Sequence, residues 1–227
     1  CTIFIENHQQ IGNCMMGDRL SSLVSFEPLK LVAGLMLTSH YVPLLFMGEE
    51  YAENNPFLYF VSHGDKDLIN AVREGRKREF KSFGWEKEPP DPQSEETFIK
   101  SMPDFSKAEK GKYKAMLDYY KTLIDLRKEN PALAHLEKTS CEVWREDDLP
   151  IVCMIRRSPK RAVFMAANIS DNTNSISIPD KAGHLNLLVD SYDEKWNGEG
   201  SSVPKNPDAG DQIELGAYQF LIFESKV

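Results

Sequence analysis

The sequence has little that would place it on nucleic acid or in a membrane. Its 227 residues carry 27 basic and 35 acidic side chains, a net charge of −8, so no nucleic-acid surface is expected. The long apolar stretch at residues 31–47 is interrupted by Gly34, His40 and Pro43. It falls short of the ~18 clean apolar residues of a membrane span. We therefore expect neither a nucleic-acid partner nor a membrane partner.

Cysteine is also sparse. The four cysteines form no Cys-x-x-Cys pair, and no histidine lies at zinc-site spacing from them. Two disulfides are possible in principle, but an isolated cysteine in apolar company, such as Cys153, is more often a buried thiol. The chain opens at Cys1 without a visible signal peptide, and we expect this end to be an excision point or a processed end rather than a natural start. We expect a reducing, cytoplasmic compartment and neither a metal nor a cofactor.

The first stretch of the chain carries the strongest pattern. Residues 2–5 are β-branched or aromatic throughout, which predicts a strand buried on both faces, as in a parallel sheet. Five polar residues follow at 6–10, and Gly12 and Asn13 end the run. A buried strand that ends in polar residues is typical of the C-terminal end of a barrel strand, where (β/α)8 enzymes have their active sites. The alternative is a strand that surfaces into a polar loop.

A second strand is predicted to end in the same way. A largely apolar helix begins near Pro28, and the apolar run at residues 43–47 is followed by Gly48, Glu49 and Glu50. Strand, helix and strand make one βαβ unit, which places both polar ends at the same edge of the sheet. This arrangement predicts a shared cleft. The alternative is a solvated loop that carries two carboxylates.

Three further helices are predicted, and after them the sequence pattern changes. We predict short and long helices at residues 18–24, with Asp18 as N-cap, at residues 65–80, with Asp65 as N-cap, and at residues 113–128. Residues 83–106 are rich in proline and acids and predict an irregular segment. After residue 134 short apolar runs alternate with polar turns, which is typical of an antiparallel sandwich or barrel.

Several stretches resemble one enzyme family. Residues 7–13, Asn-His-Gln-Gln-Ile-Gly-Asn, followed by Gly-Asp-Arg-Leu at 17–20, resemble the fourth conserved region of the α-amylase clan, glycoside hydrolase family 13. The longer match is similar, more narrowly, to the malto-oligosyltrehalose trehalohydrolases. Phe-Met-Gly-Glu-Glu-Tyr at 46–51, residues 71–80 and Pro-Asp-Pro-Gln at 90–93 extend the likeness. It runs to about Leu133 and continues more weakly through the tail.

The resemblance implies a fold and a division of the chain. Residues 1–134 would be the C-terminal portion of a catalytic (β/α)8 TIM barrel, with its last two βα units, and residues 135–227 a C-terminal antiparallel β-sandwich domain. The fold class is therefore α/β plus all-β. Two barrel strands alone leave open sheet edges, so we expect association with the barrel strands that the chain does not contain, or self-association.

The resemblance also implies site residues. In the family the Asn-His pair binds the sugar in the cleavage subsite, and the following Asp stabilises the transition state; Gln9 stands at that position here. The substrate-binding candidates are Asn7, His8, Gln10, Glu49, Glu50, Tyr51, His63, Asp91 and Gln93. Asn7, His8 and Gln9 leave the buried strand together, so we expect Asn7 and Gln9 to point the same way, with His8 turned toward the rim of the cleft. Without the resemblance, Asp91 would make an ordinary turn in a rigid connector.

The implied reaction is hydrolysis of the α-1,4 bond next to a terminal trehalose unit of malto-oligosyltrehalose. Retaining glycosidases use two carboxylates about 5–5.5 Å apart, and in this clan they lie on strands four and five, outside this chain. We therefore expect this chain to be inactive alone. The neutral amide of Gln9 would lower the rate by about 10²–10³. The alternative is a catalytically silent relative that binds α-glucans or acts as a scaffold. Aromatic residues at 56–60 can stack on sugar rings, although buried loop aromatics are commoner.

Overall fold

The computed structural model describes residues 1–85, 88–137, 140–146 and 148–226. Residues 86 and 87, within the irregular segment predicted at 83–106, lie outside the described residues. The α-helices of the described chain are α1 His8–Ile11, α2 Leu20–Leu23, α3 Phe26–Thr38, α4 Lys66–Ser82, α5 Glu95–Lys100, α6 Gly111–Glu129 and α7 Pro131–Ala134. Short 3₁₀ helices occupy Glu49–Tyr51, Phe105–Glu109, Asp180–Ala182 and Glu194–Trp196.

The strands fall into two groups along the chain. The strands are β1 Thr2–Ile3, β2 Val42–Pro43, β3 Cys141–Arg145, β4 Ile151–Ser158, β5 Arg161–Asn168, β6 Asn174–Ser177, β7 Asn186–Asp190, β8 Gln212–Leu215 and β9 Phe220–Lys226. The first two precede most of the helices, and the other seven follow all of the α-helices. These seven strands pair in antiparallel fashion, so the antiparallel sheet predicted after residue 134 is present.

The first two strands are parallel, as the βαβ pattern predicts, but much shorter than expected. Thr2 lies opposite Val42 and Ile3 opposite Pro43. The prediction that residues 2–5 are a strand buried on both faces is wrong, since β1 ends at Ile3, Thr2 is exposed and Phe4 is 41% exposed. Among the described strands, β1 and β2 pair only with each other, so their outer edges and one face meet solvent.

The helix predictions differ from the structure mainly at the ends. Asp65 caps α4 as expected, since its Oδ1 accepts the Leu68 N–H at 2.8 Å. The helix α2 begins after Arg19 instead of Asp18, and Pro28 is the third residue of α3 rather than the first. The segment predicted as irregular contains α5, which has two glutamates in its first turn and Lys100 in its last. That charge order complements the helix dipole.

Five strands form one antiparallel sheet in the order β3-β4-β5-β9-β7, and β6 pairs with β8 in a separate ribbon. Successive side chains of a strand point to opposite faces, so β5 is buried along almost its whole length by two different layers. Met165 belongs to a core shared with α3 and α6, whereas Phe164 belongs to a core shared with β6 and β8. The sheet is thus covered on one face by helices and on the other by the ribbon.

Helix α3 joins the two parts of the chain. Gly34 lies so close to Phe220 that a Cβ atom there would be 2.3 Å from the ring, so the close approach requires glycine. Lys30 on the same helix is fully buried and donates to the carbonyl oxygens of Ser191 and Trp196. The sheet and the helices therefore share a core and buried polar contacts. None of the described helices is long and apolar enough to cross a membrane.

Candidate functional site

The chain turns from β1 into α1 at Asn7. The Asn7 backbone is extended, and its side-chain Oδ1 accepts the N–H groups of Gln9 at 2.9 Å and Gln10 at 3.1 Å. Gln10 returns the bond, because its Oε1 accepts the Asn7 N–H at 3.0 Å. This reciprocal arrangement is a capping box, which satisfies helix N–H groups that would otherwise have no partner. Asn7 is therefore held in one orientation, and its Nδ2 donors are not used by the cap.

The polar stretch after Asn7 is helical, not extended. His8, Gln9 and Gln10 are all exposed, and they follow one another around the first turn of α1. The expectation that Asn7 and Gln9 share one direction, as on a strand, is wrong, because consecutive helical residues are turned by about 100°. The capping propensity of Asn7 is the physical reason, since it favours a helix start at this position. The loop presents an exposed histidine and an exposed amide side by side.

A buried arginine ties the loop after β1 to the loop after β2. Arg19 is 1% exposed, and it donates to the carbonyl oxygens of Asn55 and Met47, both at 2.8 Å. Its Nη1 also lies 3.8 Å from the carboxylate of Glu6, which accepts the Leu20 N–H at 2.9 Å. Burial raises the pKa of Glu6. Our reading of the sequence did not single out either residue, although Arg19 belongs to the Gly-Asp-Arg-Leu stretch.

Glu49 lies at the start of the 3₁₀ turn that follows β2. Its Oε2 accepts the Phe46 N–H at 3.0 Å, and its Oε1 accepts the Tyr120 hydroxyl at 3.2 Å. Burial raises the pKa of Glu49 to about 7, and the nearby charge of Glu6 acts in the same direction. A cavity of about 20 Å³ lies between these two carboxyl groups, which is room for about one water molecule. Glu50 accepts the Gly48 N–H at 2.9 Å.

Tyr51 belongs to a separate buried network built around Glu53. The Tyr51 hydroxyl donates to Glu53 at 2.9 Å, and Lys107 donates to the other carboxylate oxygen at 2.6 Å. The backbone N–H groups of Asn55 and Asp104 also donate to the Glu53 carboxylate, one to each oxygen. Burial alone would raise the pKa of Glu53, but these donors lower it to about 2. The network fixes the loop after β2 against the 3₁₀ helix 105–109, and its partner Lys107 is too distant in sequence to be recognised beforehand.

His63, Asp91 and Gln93 come together in a third cluster. Both carboxylate oxygens of Asp91 accept from Arg73 at 2.8 Å, and the Arg73 guanidinium lowers the pKa of Asp91. The Gln93 side chain donates to the His63 carbonyl and accepts the His63 N–H, each at 3.1 Å. This arrangement is typical of a rigid connector, the alternative that the residues alone favour. It holds the Asp91 and Gln93 side chains on protein partners.

The loop after β1 also contacts α4. Arg76 donates to the Gly12 carbonyl at 2.9 Å and to the Asn13 side chain at 3.3 Å, and its guanidinium lies over the rings of Tyr59 and Phe80. A stacked, hydrogen-bonded guanidinium of this kind fixes the orientation of α4 relative to the loop after β1 and the distance between them. The Asn7–Asn13 loop, the aromatic loop at 56–60 and α4 therefore form one continuous surface at the end of the strand pair.

The described residues contain no group of three or more His, Cys, Asp or Glu side chains arranged to hold a metal ion. The four cysteines are all free thiols. What the site offers chemically is hydrogen bonding from fixed amides, a histidine and aromatic faces. Such groups suit a neutral, hydroxyl-rich ligand.

Comparison with known proteins gives no matching family model. It does give curated relatives. The chain is 40% identical over 200 residues to a malto-oligosyltrehalose trehalohydrolase of Brevibacterium helvolum, which covers 88% of this chain and 33% of the relative. It is 45% identical over 127 residues to one of Saccharolobus solfataricus, covering 56% of this chain and 21% of the relative. The chain thus spans about a third of the length of the Brevibacterium relative.

A solved structure is also similar to this chain. A Salmonella typhimurium protein assigned to the α-amylases superposes on the chain with a TM-score of 0.74 at 32% identity. The match covers 99% of this chain and 35% of the solved one. In both sequence and fold, this chain therefore matches one part of longer proteins.

Proposed function

We propose a function on the premise that the chain belongs with the malto-oligosyltrehalose trehalohydrolases of the α-amylase family, whose C-terminal part it matches. It is the C-terminal part of a glycoside hydrolase that cleaves the α-1,4 bond next to the terminal trehalose unit of malto-oligosyltrehalose. The observation that carries this proposal is the 40% identity to such an enzyme across 88% of the chain. The fixed Asn7 loop at the end of a parallel strand supports it.

In this proposal the chain supplies one wall of the substrate cleft. Asn7, locked by its capping box, and the exposed His8 bind the sugar at the cleaved bond, and Gln9 occupies the position of the transition-state carboxylate. Glu49, Glu50 and Tyr51 bond within the protein and support the loop. The nucleophile and the acid/base come from barrel strands outside this chain. A retaining mechanism requires both of them, so this chain alone is inactive.

The open strand pair supports an association with those barrel strands. Phe4 is 41% exposed, and Val42, Leu44 and Met47 are each about half exposed along the same two segments. Contiguous exposed apolar side chains beside unpaired strand edges mark an interaction surface. Self-association through this edge is the alternative. The free thiols fit the reducing, cytoplasmic location that we infer.

A trehalose assay tests the proposal. The complete polypeptide that contains this chain is expected to release trehalose from malto-oligosyltrehalose, and the 227-residue chain is expected to release none above a buffer blank. Trehalose release by the 227-residue chain would show that it contains a catalytic pair. Absence of release by the complete polypeptide, with its other two acids present, would overturn the assigned reaction.

A second candidate function is favoured by one residue. Gln9 is neutral where the family has an aspartate, and an amide does not stabilise developing positive charge as a carboxylate does. A catalytically silent α-glucan-binding protein is the function that this substitution favours. Tight binding of malto-oligosaccharides by the complete polypeptide, together with absent turnover, would support it over the hydrolase.

A further inference from the structure

A groove lies beside the third cluster, between the loop after the aromatic segment and the start of α5. Its volume is about 560 Å³, and it is open to solvent on one side. The residues that line this groove are Phe60, Val61, Ser62, Gln93, Ser94, Glu95 and Phe98. Small-molecule sites usually measure about 300–1,000 Å³ and combine aromatic walls with a few polar groups. The groove between Phe60 and Phe98 has this size and this composition.

The two walls of the groove are fixed to each other by hydrogen bonds. The Val61 N–H donates to the Pro92 carbonyl at 2.8 Å, and the Gln93 side chain bonds twice to the His63 backbone at 3.1 Å. The Thr97 hydroxyl donates to the Asp91 carbonyl at 2.7 Å, which fixes the start of α5. A ligand therefore meets a groove that is already formed, and little of the binding free energy is lost in ordering it.

The aromatic wall presents a free ring face. Phe98 is 48% exposed, and its ring centroid lies 5.2 Å from that of Phe60 in an edge-to-face arrangement. The pair is held from behind by Phe57, whose ring lies 5.7 Å from that of Phe60. Such a ring can pack against the C–H face of a pyranose. Phe98 therefore has exposed apolar area that no described residue covers fully.

The polar wall has free hydrogen-bonding groups. The hydroxyls of Ser62 and Ser94 and the carboxylate of Glu95 make no hydrogen bond or ion pair to a described residue. Glu95 and Phe98 are three residues apart on α5 and so lie on the same face of that helix. None of the described residues that line the groove is basic, which disfavours a phosphate or another anion. A ring face beside hydroxyl and carboxylate groups suits a neutral sugar.

The groove is continuous with the loop that carries Asn7 and His8. The Phe57 N–H donates to the Gly17 carbonyl at 2.8 Å, and the Phe57 ring lies 3.8 Å from the position that a Cβ on Gly12 would take. Phe57, Phe60 and Phe98 then follow one another by ring contacts. The groove is thus separated from the Asn7 loop by two aromatic rings, which places it beside that loop rather than in it.

We propose that the groove between Phe60 and Phe98 binds a glucosyl unit of an α-1,4-glucan chain, at a distance from the bond that is cleaved. The ligand class rests on the proposed function, whereas the groove and its free groups do not. Phe98 packs against the face of the sugar ring, and Glu95, with Ser62 and Ser94, accepts from its hydroxyls. Longer glucans gain this contact, and short ones held at the Asn7 loop do not reach it.

The first test compares two neighbouring residues of α5 in the complete polypeptide. Phe98→Ala removes the ring, and Ile99→Ala removes a similarly exposed side chain, 55% against 48%, that does not line the groove. Calorimetric titration with maltoheptaose and with maltotriose gives the dissociation constants. We expect Phe98→Ala to raise the maltoheptaose Kd about tenfold, as loss of a buried aromatic anchor does, with less than about a twofold change for maltotriose. Ile99→Ala is expected to change neither.

A second pair covers the case in which Phe98→Ala destabilises the fold, which its melting temperature reveals. Glu95→Ala removes the groove carboxylate, and Glu96→Ala removes its neighbour, which pairs with Lys100 outside the groove. Both are surface changes of small expected effect on stability. We expect Glu95→Ala to weaken maltoheptaose about threefold and Glu96→Ala to leave it unchanged. Equal effects of the two changes would overturn the proposal.

The outcomes separate the groove from the reaction. If the complete polypeptide releases trehalose but Phe98→Ala binds maltoheptaose as Ile99→Ala does, the groove assignment is overturned and the proposed function stands. If no trehalose is released but Phe98→Ala and Glu95→Ala still weaken maltoheptaose relative to their controls, the proposed reaction fails and the groove stands as a glucan site.

Discussion

The parallel strand pair and the five-stranded sheet of this chain have similar sequence signals and opposite surroundings. The strands β1 and β2 are two residues long each, pair only with each other among the described strands, and are flanked by exposed apolar side chains. The five-stranded sheet has strands of up to eight residues and is covered on both faces. An apolar run therefore predicts that a strand forms, whereas the length and burial of that strand depend on the elements that pack beside it.

The same comparison separates function from stability. The residues of the candidate site follow the open strand pair. Local helix caps and charged side chains such as Arg19 and Arg76 hold their loops in place. The five-stranded sheet holds the large apolar core and carries none of the site residues. We therefore expect the largest losses of stability from substitutions in the sheet, smaller losses from those beside the strand pair, and, on the proposed function, changes of turnover only from the latter. Four measurements test this expectation.

The largest expected effect is a loss of stability from a substitution in the five-stranded sheet. Phe223 is fully buried and stacks on Phe164 with centroids 6.1 Å apart. Phe223→Ala is expected to lower the free energy of unfolding by about 3–5 kcal/mol, from lost burial and from the cavity left behind. Phe4→Ala, beside the open pair, is expected to change it by less than about 1 kcal/mol. Urea denaturation of this chain measures both, and equal losses would show that the open pair is covered after all.

The next largest effect concerns turnover beside the open pair. On the proposed function, in which Gln9 occupies the position of the transition-state carboxylate, Gln9→Asp in the complete polypeptide is expected to raise kcat by about 10²-fold while KM moves little, because such a charge acts mainly in the transition state. Steady-state kinetics of trehalose release measures this.

Gln9→Asn is the matched control, since asparagine has the size of aspartate without the charge. We expect it to leave kcat near the starting value. An unchanged kcat for Gln9→Asp, in a protein whose other two acids are present, would mean that Gln9 lies outside the catalytic site.

The third prediction is a dependence on pH in two opposite directions. The pKa of Glu49 is raised from 4.5 to about 7, so its contribution to stability is fully present below pH 4.5 and is lost as the pH rises through 7. The pKa of Glu53 is lowered to about 2, so its contribution is present above pH 4.5 and is lost as the pH falls toward 2. Glu49 and Glu53 are four residues apart, yet their surroundings shift their pKa values in opposite directions.

Thermal denaturation across pH 4–8 checks the first direction. Glu49→Gln carries no titrating group, so its melting temperature is expected to fall less between pH 5 and 7.5 than that of the unmodified chain. Glu53→Gln is expected to flatten the acid side instead, below pH 4.5. A Glu49→Gln profile parallel to that of the unmodified chain would contradict the buried, protonated state of Glu49.

The smallest effect concerns the cap beside β1. Asn7→Ala removes the acceptor for two N–H groups of α1 and is expected to lower the free energy of unfolding by about 1 kcal/mol. Asn7→Asp retains the acceptor and is expected to lose much less. Asp65→Ala provides a comparison at the cap of α4, with a loss of similar size. Urea denaturation measures all three, and a loss from Asn7→Asp equal to that from Asn7→Ala would argue against the cap.

The sequence predicted the strands after residue 134 and the longer helices α3, α4 and α6, but not α1, α5 or α7, because the predicted elements follow from short-range patterns. Apolar residues at helical spacing identified α6, a side-chain cap at Asp65 identified the start of α4, and alternating short runs identified the antiparallel strands. The stretch from Asn7 to Asn13 identified the enzyme family. These features depend on residues within about one or two turns of each other, so they can be read without the fold.

The tertiary structure alone decided how the site residues are held. It ended β1 at Ile3, and it engaged Asp91 with Arg73 across 18 residues and Glu53 with Lys107 across 54. It also gave Glu49 and Glu53, near neighbours in the chain, pKa shifts of opposite sign. Burial and the position of charge partners set these properties, and both depend on residues that are distant in sequence and close only after folding.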